Sequence, residues 1–137
     1  MELKEIINNI REIASQYNKV DSSFDDLYIL QKWKKELAFL KFEIVDLYYK
    51  KIVARKVLVE EQKETARTES YLRLKNENPE KSDTQLRELS KGSREAIQWT
   101  KDYSEAYGSF KAMESYLQAV TDLMYAIGSQ QKIANGE

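Results

Sequence analysis

Apolar residues recur along this chain at spacings of three and four. The longest such stripe is Ala96, Trp99, Tyr103, Ala106, Phe110, Met113, Leu117, Val120, Met124 and Ile127, with no polar exception. A second stripe runs Leu30, Trp33, Leu37, Leu40, Ile44 and Leu47, then Lys51, Ala54 and Leu58. Alternation of this kind is the mark of long helices packed along a seam. Near the N-terminus Leu3, Ile6, Ile7, Ile10, Ile13, Ala14 and Tyr17 follow the helical period over residues 2–17.

Breaks in the pattern divide the rest. Asn18 to Ser23 interrupt it, and Ser22 and Ser23 precede Asp25 and Asp26, a cap with acidic first-turn residues for a helix from about residue 24. Nothing breaks that helix before Asn76-Glu77-Asn78-Pro79, so it is predicted to reach residue 77, roughly 75–80 Å long. Residues 60–70 (EEQKETARTES) offer only Ala66 for burial, and whether 60–75 continue the helix is left open. Ser82-Asp83-Thr84-Gln85 fits a capping box, and a third helix is predicted over 83–128, with Gly92 beside Ser93 the natural break or kink. Gly128 fits the residue after a helix end, leaving 129–137 as a frayed tail. The expected fold is all-α: one helical domain over 1–137, a long antiparallel hairpin with a short N-terminal helix and coiled-coil-like packing. Three aromatic-rich stripes exceed what one hairpin covers, which points to a homo-oligomer. Tyr103, Phe110, Met113, Leu117, Val120, Met124 and Ile127 are its expected interface, and Tyr107, Tyr116 and Tyr125 also suit interface anchoring.

Composition narrows the chemistry. Among 137 residues there is no cysteine and no histidine, which removes thiolates, the commonest general base and the usual zinc ligands. Glu60, Glu61, Glu64 and Glu69 crowd one region, but di-metal helical bundles use Glu-x-x-His, and Lys63 and Arg67 offer salt-bridge partners instead. No Gly-rich phosphate loop, nucleophile elbow or metal motif occurs. Catalytic, cofactor and metal sites are therefore not expected, and neither is an enzyme. One Pro and four Gly suit a few long helices. No apolar run approaches a membrane span and no secretory signal is evident.

The net charge of −1 conceals a polarity along the chain. Residues 1–31 carry three basic and six acidic side chains, residues 32–56 eight and three, and residues 57–137 eleven and fourteen. Within the basic segment Lys32, Lys34, Lys35, Lys50, Lys51, Arg55 and Lys56 interleave with Tyr28, Trp33, Phe39, Phe42, Tyr48 and Tyr49. Amines can hold phosphates while rings stack on bases, so these seven cations are the candidate nucleic-acid contacts. The same pattern also describes core rings with a solvated lysine rim, and Trp33 fits either role. Lys51 stands at a seam position, where it would have to snorkel or line an oligomer.

Leu27–Lys56, LYILQKWKKELAFLKFEIVDLYYKKIVARK, places Lys32-Trp33 on a lysine-rich, apolar-seamed helix. Met113–Ile133, MESYLQAVTDLMYAIGSQQKI, adds a helix with an Ala-Ile-x-Ser turn followed by Lys132. In these segments the chain resembles small all-helical bacteriophage accessory proteins, nearest the recombination-mediator family typified by the UvsY protein. That resemblance implies a ring-like oligomer in the cytoplasm, the host's if phage-encoded. It would bind single-stranded DNA and help load a recombinase over a single-strand-binding protein. The alternative expectation is a protein-interaction module, structural, scaffolding or host-antagonist, with no nucleic-acid binding.

Overall fold

The computed structural model describes residues 1–136, and all regular structure among them is helical. The helices are α1 (Leu3–Asn18), α2 (Leu27–Ile44), a five-residue π-helical segment (Val45–Tyr49), α3 (Lys50–Glu77), α4 (Asp83–Lys91) and α5 (Arg94–Ala134). No helix is long and apolar enough to cross a membrane. Contacts gather in two units, one of Met1–Lys50 with Ala112–Glu137, the other of Lys51–Lys111.

The first unit holds most of the apolar core. Ile6, Ile10 and Ile13 of α1, Leu30, Trp33, Leu37, Leu40 and Ile44 of α2, and Met113, Val120 and Ile127 of α5 are buried. The α2 seam is buried as its spacing predicts. Side-chain contacts set the register against α5: Gln131 donates to Gln31 at 2.7 Å, Lys34 lies over Gly128, and Lys41 donates to Thr121 at 2.6 Å. As the numbers climb on α2 they fall by equal steps on α5, an antiparallel register within this unit.

The helix from residue 24 is corrected to start at Leu27. Asp26 is the N-cap, its carboxylate accepting from the Ile29 N–H, and Ser23 instead donates backbone and hydroxyl hydrogens to Asp21. Those two bonds hold the Asp21 carboxyl below its ordinary pKa. The supposed frayed tail is also corrected. Gly128 lies inside α5, which continues to Ala134, and Gly136, at φ 76°, is the residue in the left-handed conformation. What holds the last turns is Gln130, buried at the position following Ile127 in the stripe. Its amide donates to the carbonyls of Ser22 and Phe24 at 2.9 and 2.8 Å, fastening the α1–α2 loop to α5. Losing that side chain would strand two carbonyls, a cost of about 1–3 kcal/mol for each one left buried.

The second unit has a sparser core of Val59, Ala66, Leu86 and Ala96 with the buried hydroxyls of Ser70 and Ser90. Cations complete it. Lys63 Nζ lies 4.0 Å from the centre of the Tyr103 ring, and Lys56 Nζ lies 5.0 Å from that of Phe110. Arg67 donates to Thr100 at 3.3 Å, and Ser70 donates to Ser93 at 2.8 Å. The side chains of Lys63 and Lys56 are only 15% and 21% exposed, so their stems pack while their ammonium groups meet ring faces. This order too is antiparallel within the unit.

The helix predicted over 83–128 is two helices, divided at Gly92 and Ser93 where a break or kink is expected. Ser82 and Gln85 form the expected capping box on α4, but Gly92 closes it, its N–H bonding the carbonyls of Leu89 and Ser90. Ser93 then caps α5 by accepting from the Ala96 N–H. Tyr71 donates to Asp83 at 2.6 Å, which pushes the phenol pKa up and the carboxyl pKa down.

The expected continuation of the second seam through Lys51, Ala54 and Leu58 is corrected as well. All three are exposed, and the inward positions are Ile52, Lys56, Val59, Lys63, Ala66 and Ser70. The π segment is the cause. The Lys50 N–H bonds the carbonyl of Val45, five residues back, while the backbone stays helical on both sides. One extra residue enters the helix at this turn, and beyond it Ile52 and Val59 stand inward one position after Lys51 and Leu58, and Lys56 two positions after Ala54. Lys51 is thereby relieved of any seam burial. Residues 60–75 do continue the helix.

Of the seven expected interface residues, Met113, Val120 and Ile127 are buried within the protomer, and Tyr103, Phe110, Leu117 and Met124 are half-buried. Removing Asp46, an exposed π-segment residue, lets the helix close as α with both seams in place. Urea unfolding should then shift by no more than about 1 kcal/mol, whereas removing the equally exposed Ala38 misaligns buried residues and should cost more than about 4 kcal/mol.

Candidate nucleic-acid interface

Helical spacing divides the basic segment among several surfaces. Tyr28, Lys32, Lys35, Phe39 and Phe42 fall on one face of α2, and all five are exposed. The rings of Tyr28, Phe39 and Phe42 are 77%, 54% and 64% exposed, unusual for side chains of this kind. Lys32, Lys35 and Phe39 also border a cleft of about 490 Å³ between α1 and α2, with Glu12 and Glu36 on its rim. The face therefore combines stacking surfaces and amines with two carboxylates beside them.

Trp33 belongs to the core. It is 8% exposed, its Nε1–H donates to the Gln16 amide oxygen at 3.0 Å, and its ring stacks on Phe24 at 5.9 Å and meets the edge of Tyr17 at 6.1 Å. Tyr48 is half-buried with its hydroxyl donating to the Met1 carbonyl, and Tyr49 is half-buried too.

The other five predicted cations do not join Lys32 and Lys35. Lys34, two residues from Lys32, points to the opposite flank of α2 against Gly128. Lys50 is exposed and pairs with Asp46 at 3.5 Å. Lys51 and Arg55 border a separate cleft of about 330 Å³ in the second unit, facing Asp102 and Glu105. Lys56 is turned inward over Phe110 and Tyr107, with Glu60 3.8 Å from its amine. Ion pairs as exposed as Lys50–Asp46 contribute little, about 0–1 kcal/mol, and give way readily to a competing phosphate.

Two further cations turn inward. The bond of Lys41 to Thr121 has no sequence signature, and the glutamates near Lys63 mark it only as a salt-bridge partner. It does approach Glu64, at 3.8 Å, while its principal neighbour is the Tyr103 ring. Arg67 likewise meets Glu64, at 3.7 Å. Among the described residues no group of acidic side chains is placed to hold a metal ion.

No protein-family model matches the chain, and comparison with curated proteins and with solved structures gives no match.

The two kinds of aromatic residue separate in a stability measurement. Trp33→Ala should cost about 3–5 kcal/mol in chemical denaturation, as for a large side chain removed from a core. Phe42→Ala should fall within about 0.5 kcal/mol of the parent, as for a surface substitution.

Proposed function

We propose that this chain is a non-enzymatic accessory protein that works by binding, with single-stranded DNA held along the outer face of α2. The observation that carries the reading is the coincidence of three exposed rings with Lys32 and Lys35 on one helical face. Bases stack on any aromatic surface, at about 1–3 kcal/mol per base, and phosphates pair with amines between them. The rings need not have been exposed on a helix whose other seam is fully apolar, so their exposure calls for an occupant.

The resemblance to the UvsY-type recombination mediators supplies the finer part of the proposal. On that reading the protein is a phage-encoded homo-oligomer in the host cytoplasm that helps a recombinase displace a single-strand-binding protein. The antiparallel register inside each unit supports the hairpin arrangement that goes with it. Copies of the chain would meet through the half-buried side chains Tyr103, Phe110, Leu117 and Met124 and through exposed rings such as Tyr125.

A second reading is favoured by one specific feature. Glu12 and Glu36 share the α1–α2 cleft with the two lysines over a floor that includes Ile13, Trp33 and Leu40. An apolar floor with a rim of both charges also suits the apolar face of a partner helix, as in a protein-interaction module.

Fluorescence anisotropy with a labelled oligothymidine over a range of salt tests the primary reading. Binding should weaken linearly in log–log salt coordinates, and Lys32→Gln with Lys35→Gln should flatten the slope by about 0.7 per lost phosphate contact. Phe39→Ala with Phe42→Ala should weaken binding by about tenfold or more without changing the slope. No binding by the full-length protein at low salt would remove this reading in favour of the second.

A further inference from the structure

The flank of α2 opposite the aromatic face carries two adjoining clefts, of about 300 and 420 Å³, that share Lys34, Gly128 and Lys132. Their charge sets them apart. The α1–α2 cleft contains Glu12 and Glu36, and those of the second unit contain Glu64 and Glu88, or Asp102 and Glu105. Among the described residues no carboxylate lines either of the two clefts around Lys34. Neither Lys34 nor Lys132 is in an ion pair among those residues, whereas Lys50, Lys56, Lys63, Arg67 and Lys91 are. Two lysines thus line one concavity whose other lining residues carry no counter-charge. Like charges so placed repel, and an anion entering between them relieves that repulsion.

The local packing makes room for the amine. Gly128 lies within α5 at a helical conformation, where glycine costs about 1 kcal/mol relative to alanine, so the backbone gives no reason for it. A Cβ there would lie 3.3 Å from Lys34 Nζ and crowd it. A third amine borders the site: Lys41 donates to the hydroxyl of Thr121, which lines the cleft and itself donates to the Leu117 carbonyl. The Ser129 hydroxyl adds a neutral donor. The Gln131–Gln31 bond fixes α2 against α5 at the second cleft.

We propose that Lys34 and Lys132, with the hydroxyl of Ser129, form a phosphate-binding site. A phosphate group presents several acceptor oxygens to donors arriving from different directions, which two flexible ammonium groups and a hydroxyl supply. The last-turn carbonyls of α5 are close by and carry partial negative charge, so neither lysine suffices alone. The site is independent of the aromatic face and of the reading built on it. Inorganic phosphate, a mononucleotide's terminal group and an internal diester share the oxygens such a site recognises, and the titration below separates them.

Amide spectra of the ¹⁵N-labelled full-length protein, titrated at constant ionic strength, test the proposal with three probes: inorganic phosphate, AMP, and a thymidine dinucleotide with only an internal diester. Saturable shifts confined to the amides around Gly128, Ser129 and Lys132 are expected with at least one probe, and the order of affinities names the source. Lys34→Gln or Lys132→Gln should each weaken that binding by roughly tenfold or more, the loss of one charge-assisted hydrogen bond, while the remaining spectrum stays dispersed. Shifts that sodium chloride reproduces, that spread evenly over the chain, or that persist undiminished in the double variant would overturn it.

Discussion

One hydrogen bond at the middle of the 27–77 helix sets the terms for everything packed against it. The Lys50 N–H reaches Val45 rather than Asp46, and that single wider turn places an odd residue between two seams. On the N-terminal side the seam is Leu30, Trp33, Leu37, Leu40 and Ile44. On the C-terminal side it is Ile52, Lys56, Val59, Lys63, Ala66 and Ser70. Without the extra residue the second seam would present Lys51, Ala54 and Leu58, and the lysines that now lie over rings would face water.

That displacement explains how a strongly polar stretch can hold a core. Residues 60–70 offer little apolar area, and the stem of Lys63, beneath an ammonium group that sits on Tyr103, completes their burial, as Lys56 over Phe110 does just before them. Each such contact contributes about 0.5–2 kcal/mol, comparable to a modest apolar contact, and it allows Lys56 and Lys63 to occupy two of the six seam positions. The first unit needs no such device, because Ile, Leu and Trp fill it. The consequence for function is that only part of the basic segment faces outward. Lys56 and Lys41 are spent on packing, while Lys32, Lys35 and Lys34 are left at the surface on two separate flanks of α2.

The sequence was informative wherever a single periodicity persisted. The stripe from Ala96 to Ile127 is buried or half-buried at every position, because no irregular turn interrupts α5. The capping box at Ser82 and Gln85 was equally legible, being a local exchange of two hydrogen bonds. A π turn leaves no such mark: Val-Asp-Leu-Tyr-Tyr is an ordinary helical composition, and only tertiary packing selects the wider bond. Gln130 was illegible for a related reason. A glutamine after an apolar stripe reads as the end of burial, and its partners, the Ser22 and Phe24 carbonyls, lie more than a hundred residues away in sequence. The basic segment was legible as composition but not as a site, since consecutive lysines on a helix diverge around its axis and nothing local records which of them will turn inward.

The shift of register is the claim on which the rest turns, and a chain without native cysteine allows it to be read directly. Single cysteines placed at Lys51, Ala54 and Leu58, and at Val59, Ala66 and Ser70, can be compared by their rate of reaction with a maleimide under native conditions. Rapid labelling of the first three and strong protection of the second three are expected. Protection at 51, 54 and 58 with rapid labelling at 59, 66 and 70 would contradict the shifted register.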